Sequence, residues 1–180
     1  MSIATRLKNF RKNIHRQLYD YFQDNSLLNT YQSGFRSMHS TLTALLETTN
    51  NWSINIDNGL LNGVLFIDLK KAFDTIDHEI ILRKLANCGV DQSALRFFAS
   101  YLCNRSQKFS VNGALSSASK LTCGVPQGGI LGPLLFLICI NDLPNCLDVS
   151  SVAQKCLPTI LTSPSLVALL PNSNKQPILN

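Results

Sequence analysis

The chain has 180 residues, enough for one domain or part of a larger one, and its 45% apolar content permits a core. A net charge of +5 is compatible with a polyanionic partner without requiring one. The longest apolar run, Ile130 to Ile140, is broken by Gly132 and Pro133 and falls short of the ~20 residues that span a bilayer; with no apolar signal stretch at the N-terminus, this predicts a soluble, intracellular protein that is neither secreted nor membrane-bound.

Ile3, Leu7, Phe10, Ile14, Leu18, Tyr21 and Phe22 recur at helical spacing, with Arg and Lys on the other face, so Ile3 to Phe22 reads as an amphipathic helix. Ser40 is placed to cap a second helix that runs to about Glu47. Leu60 to Leu69 is an apolar strand. Asp77 starts a helix from His78 to Cys88, stopped by Gly89, and Asp91 caps the next. Asn112-Gly113 between Gln107–Val111 and Leu115–Thr122 is a type I′ hairpin signal. A turn at Pro126 to Gly129 opens a helix from about Leu131 to Asn141. This order is α+β and not a βαβ repeat.

After Cys146 the character changes. Leu147 to Asn180 holds one acid, Asp148, and two lysines, Lys155 and Lys175, in a Ser-, Pro-, Leu- and Asn-rich stretch without periodicity. The expected division is residues 1–146 and a separate, disordered tail, 147–180. The six cysteines, Cys88, Cys103, Cys123, Cys139, Cys146 and Cys156, form no C-x-x-C pair and have no histidine at ligand spacing, which predicts reduced thiols and no zinc site. His15, His39 and His78 are dispersed, and no catalytic role is assigned to them.

Asp68 follows the apolar run of the strand, an edge where sheets present ligand groups; a strand-end cap is the plain alternative. Its context is Val64-Leu65-Phe66-Ile67-Asp68-Leu69-Lys70-Lys71-Ala72-Phe73-Asp74. About sixty residues on stands Gly124-Val125-Pro126-Gln127-Gly128-Gly129-Ile130-Leu131-Gly132-Pro133, whose glycines allow close approach of backbone to a ligand ahead of a helix N-terminus. Two further stretches are Gln32-Ser33-Gly34-Phe35-Arg36 with Ser40-Thr41, and Ser100 to Gln107 followed by Val111-Asn112-Gly113.

Together these motifs, spread over roughly Leu7 to Leu143, resemble reverse transcriptases, most closely those of non-LTR (LINE- and jockey-like) retrotransposons. The resemblance implies a partial right-hand polymerase fold, fingers and part of the palm. It implies RNA-directed DNA polymerisation by two-metal nucleotidyl transfer, with an RNA template, a DNA primer, dNTP and Mg²⁺. In that family the acid matching Asp68 is catalytic and binds both metal ions, and the backbone matching Leu69 also coordinates metal. The residue matching Phe73 lies under the incoming sugar, though a core Phe is the alternative. The residues matching Arg36, Gln127 and Gly128 contact or support the nucleotide. For Arg36 a surface Arg is the alternative. Arg105 and Lys108 are candidates for nucleic-acid contact, with a solvated basic face an equal alternative. Asp74 and Asp77 read as structural. Gly129 departs from the family's usual Ser. Family members act on chromosomal DNA, which implies a nuclear or cytoplasmic location.

The family's next motif, Ala-Asp-Asp, is absent. Gln154 to Pro164 contains no Asp or Glu. A permitted set of codons for this stretch, read from the third base, gives Lys-Met-Phe-Ala-Asp-Asp-Thr-Asn-Leu-Thr. The required Pro158-Thr159-Ile160 triplet arises by chance at roughly one position in several thousand. A frameshift near Val149 to Gln154 is therefore expected to separate the tail from its ancestral frame. The chain as written is expected to lack polymerase activity, because a single carboxylate does not hold two Mg²⁺ ions against their mutual repulsion. The alternatives are a non-catalytic nucleic-acid-binding remnant and a pseudogene product.

Overall fold

The computed structural model describes residues 2–126, 128–143, 154–158 and 164–171; residues 63–68, 154–158 and 164–171 are described by their strand pairing alone. Its contacts divide the chain into two compact units. The first joins Met1–Leu28 to Lys71–Ile140 and the second joins Asn29–Lys70 to Asn141–Asn180, so the units interleave along the chain.

In the first unit, α1 spans Ile3–Asp24, with the Ser2 hydroxyl accepting from the Thr5 N–H at its start. Its apolar stripe is covered toward the C-terminus, where Leu18 and Phe22 are buried, and open at the other end, where Ile3 and Leu7 are exposed. α3 (His78–Asn87) begins as its acid predicts: the Asp77 carboxylate accepts from the Glu79 and Ile80 N–H groups. α4 (Gln92–Leu102) is capped by Asp91 in the same way through Ser93. Ile81 and Leu85 of α3, Phe98 and Leu102 of α4, and Leu134 to Ile138 of α5 (Gly132–Cys139) are all buried. α3 packs on both α4 and α5. Each such side chain removed from water contributes about 1.5–3 kcal/mol, so this triad of helices is the stable base of the unit.

Between α4 and α5 runs a two-stranded arm. β2 (Arg105–Gln107) pairs antiparallel with β5 (Ser119–Leu121), and β3 (Ser110–Val111) with β4 (Ala114–Leu115). Asn112 and Gly113 both have positive φ, 49° and 85°, as a type I′ turn requires.

In the second unit, α2 spans Thr41–Asp57 and opens with a capping box between Ser40 and Thr43. It runs about ten residues past the end expected at Glu47. The hydroxyls of Thr48, Thr49 and Ser53 donate to the carbonyls of Ala44, Leu45 and Thr49, so the polar residues after Glu47 lie within the helix. β1 (Asn62–Asp68) pairs antiparallel along its whole length with β7 (Pro164–Pro171), and β7 pairs with β6 (Gln154–Pro158), giving the order β1-β7-β6. Both β6 and β7 fall after residue 146. Leu166 to Leu170 is a continuous apolar run of strand length, the local signal for this outcome. No helix among the described residues is long and apolar enough to cross a membrane.

Candidate functional site

The ordered centre of the candidate site is the junction between the turn Lys71–Asp77 and the segment that starts at Gly124. The Asp74 and Thr75 N–H groups donate to the Lys71 carbonyl, closing the turn after the strand. The second segment is then tied to that turn through backbone. The Gly124 N–H donates to the Ile76 carbonyl at 2.7 Å, and the Val125 N–H to the Phe73 carbonyl at 2.9 Å. Asp77 and Cys123 form an isolated antiparallel bridge. At Gly124, with φ +83°, an added Cβ would stand 2.9 Å from the Asp74 carbonyl oxygen. No side chain fits that approach, which is the physical reason for glycine here.

Two side chains complete the junction. The His78 Nε2–H donates to the Gly124 carbonyl at 2.8 Å, and the Arg105 Nη1 reaches the same oxygen at 3.4 Å. His78 is buried. Sequence reasoning assigned this histidine only to a helix start; the signal that could have found it is its place next to the Asp77 cap, at the point where α3 meets the turn. Behind the junction, the Phe73 ring lies 4.8 Å from that of Phe136. Lys84 of α3 donates through Nζ to the carbonyl of Cys139 at the C-terminal end of α5, where a cation complements the helix dipole.

Tyr101, also missed from the sequence, stands beside the same segment. An added Cβ on Gly129 would lie 3.0 Å from its hydroxyl oxygen. That hydroxyl is shielded from solvent and has no hydrogen-bond partner among the described residues. Burial pushes the Tyr101 phenol pKa up, against the opposing pull of Arg11 and Arg105. The Arg11 guanidinium sits 5.7 Å from the centre of its ring.

The sequence-predicted residues divide between the two units. Phe73, Gly128, Arg105 and Lys108 belong to the first, and Arg36, Asp68 and Leu69 to the second. Phe73 is half-buried, with its ring packed against that of Phe136 at an interplanar angle of 38°. Gly128 is exposed, with φ +72° and open space around its Cα. Arg105 is half-buried and spends one guanidinium nitrogen on the Gly124 carbonyl, so part of its function is to brace the junction; Lys108 is exposed. Gln127 lies outside the described residues.

In the second unit the Arg36 Nη1 donates to the carbonyls of Asn29 and Gln32, at 3.0 and 3.2 Å. The Asn29 N–H in turn donates to the Asn141 side-chain oxygen at 2.8 Å. One corner of the guanidinium is thereby fixed to the turn Asn29–Gln32, where Gln32 and the following Ser33 are buried. Asp68 closes β1 opposite Ser165, and its side chain lies outside the described residues. Among the described residues no three His, Cys, Asp or Glu side chains come together as a metal site.

A family model described as reverse transcriptase (RNA-dependent DNA polymerase) matches residues 1–157. The chain is 30% identical over 161 residues to a probable RNA-directed DNA polymerase from transposon BS of Drosophila melanogaster, covering 89% of this chain and 18% of that protein. It is 32% identical over 125 residues to the RNA-directed DNA polymerase from mobile element jockey of the same organism, 69% of this chain and 14% of the relative. Over 90 residues it is 33% identical to the Pol polyprotein from the type-1 retrotransposable element R2 of Popillia japonica, 50% of this chain and 15% of the relative. The chain thus spans less than a fifth of the length of each of these three relatives.

Proposed function

This chain belongs to the reverse transcriptase family, on the branch of non-LTR mobile elements, and we propose that it serves as a nucleic-acid-engaging segment of an RNA-directed DNA polymerase. One observation carries the reading. The Gly124–Val125 backbone is bonded to the Phe73–Ile76 turn, so two motifs about fifty residues apart form one structural element. In the proposed roles, residues of the fingers and part of the palm hold the nucleotide through Arg36, Phe73, Gln127 and Gly128. Arg105 and Lys108 face the nucleic acid. Asp68 is the catalytic carboxylate, with the Leu69 backbone beside it. The partners are an RNA template, a DNA primer and dNTP, within the nucleus or cytoplasm.

Enzymes of this family in general use divalent metal ions, and Mg²⁺ is the ion proposed for Asp68. The family's Ala-Asp-Asp motif, one aspartate of which joins the first acid in holding the metals, has no counterpart in Gln154 to Pro164, which favours a second reading: the chain as written binds nucleic acid without extending it. The tail from Leu147 is accordingly proposed to be out of frame.

The test is direct. The purified chain is expected to bind a labelled RNA–DNA primer–template in a salt-sensitive way and to add no dNTP in the presence of Mg²⁺. Incorporation of dNTP would overturn the non-catalytic reading, and no binding at low salt would overturn both. Sequencing the coding DNA from Leu137 to Asn180 tests the tail: a shifted frame without Asp-Asp rejects the frameshift.

A further inference from the structure

The arm between α4 and α5 has no account in the junction it springs from. Every residue from 106 to 120 is exposed. Phe109, Val111 and Leu115 are 63%, 67% and 69% exposed, so large apolar side chains stand in water along this arm. A lone two-stranded hairpin is marginal in water and gains stability when something covers it. Phe109 is nonetheless held in place. Its N–H donates to the Ser116 hydroxyl at 2.9 Å, and its carbonyl accepts from the Ser116 N–H at 2.8 Å.

The charges carried by the arm itself are of one sign. No Asp or Glu occurs between Asp91 and Asp142, while Arg96, Arg105, Lys108 and Lys120 fall in that interval. Lys108 adjoins Phe109, and Lys120 pairs with Ser106 across the β2–β5 ladder. An exposed aromatic ring on an arm that carries lysines and no acid of its own suits a single nucleic-acid strand: bases stack on the ring and the backbone runs along the charges.

We propose that the arm is a stacking platform for single-stranded nucleic acid, with Phe109 contacting a base and Lys108 and Lys120 the flanking phosphates. The proposal rests on the nucleic-acid reading above and adds a contact of a different physical kind. Stacking is insensitive to salt, whereas each phosphate contact releases counterions and steepens the dependence of affinity on salt.

That difference defines the experiment. Binding of the full chain to a fluorescein-labelled single-stranded oligonucleotide is followed by anisotropy across a salt series. Phe109→Ala is expected to weaken binding roughly 5- to 100-fold with the salt slope unchanged, and Phe109→Trp to retain it. Lys108→Ala with Lys120→Ala is expected to flatten the slope by about 0.7 for each cation removed. Thermal unfolding followed by circular dichroism accompanies each variant. Wild-type affinity in a folded Phe109→Ala protein overturns the platform and leaves the nucleic-acid reading standing. No binding by the wild-type chain at low salt overturns both. Phe109-dependent adhesion to phosphatidylserine vesicles, with oligonucleotide binding independent of Phe109, assigns the arm to a membrane surface and also overturns the platform.

Discussion

The junction at Gly124 and the arm that turns at Asn112-Gly113 are close in sequence and built on opposite terms. At the junction the backbone N–H groups of Gly124 and Val125 are both bonded to the preceding turn, the Gly124 carbonyl receives His78 and Arg105, and the glycine leaves no room for a side chain. In the arm no residue from 106 to 120 is buried, and its order comes from its own short ladders and the turn. The same unit therefore contains a segment whose sequence is dictated by packing and one whose sequence is free of it. A functional contact in the first is expected to be inseparable from stability, and in the second to be separable.

The largest test of that contrast is Gly124→Ala. It places a Cβ against the Asp74 backbone and at a φ that L-residues avoid, and about 3 kcal/mol of stability should be lost in urea unfolding. A loss below about 0.5 kcal/mol would mean that the junction yields, and the comparison would fail. His78→Ala removes a buried donor from the Gly124 carbonyl, with an expected cost of about 2 kcal/mol in the same measurement. Tyr101→Phe removes a hydroxyl that has no hydrogen-bond partner among the described residues; its melting temperature should equal or slightly exceed that of the wild type, by an amount worth up to about 1 kcal/mol. A clear drop would reveal that the hydroxyl is used. The smallest effect belongs to the arm: Leu115→Ser should change unfolding stability by less than about 0.5 kcal/mol.

Much of the first unit was legible in the sequence because its signals are local. Asp77 and Asp91 cap α3 and α4 through N–H groups two or three residues away. Asn112-Gly113 sets its own turn. Where the signal depends on distant partners, legibility ends. His78 reaches a carbonyl 46 residues on, and Asn141 reaches the turn that holds Arg36 from 112 residues away. No window of sequence contains either pair. The end of α2 lies beyond its apolar pattern for another reason: Thr and Ser are weak helix formers, yet their hydroxyls here bond back to the helix carbonyls. β7 carries a local apolar signal, but its pairing with β1 across about a hundred residues has none.

The exposure of residues 106 to 120 also bears on how this part of the molecule can change. An element that buries nothing can gain or lose residues at its tip with little effect on the helices beneath it, since lengthening a loop adds only a slowly growing entropic cost. For the experimenter, the tip at Asn112-Gly113 is where a reporter group or an inserted peptide can be placed with the least disturbance to the fold.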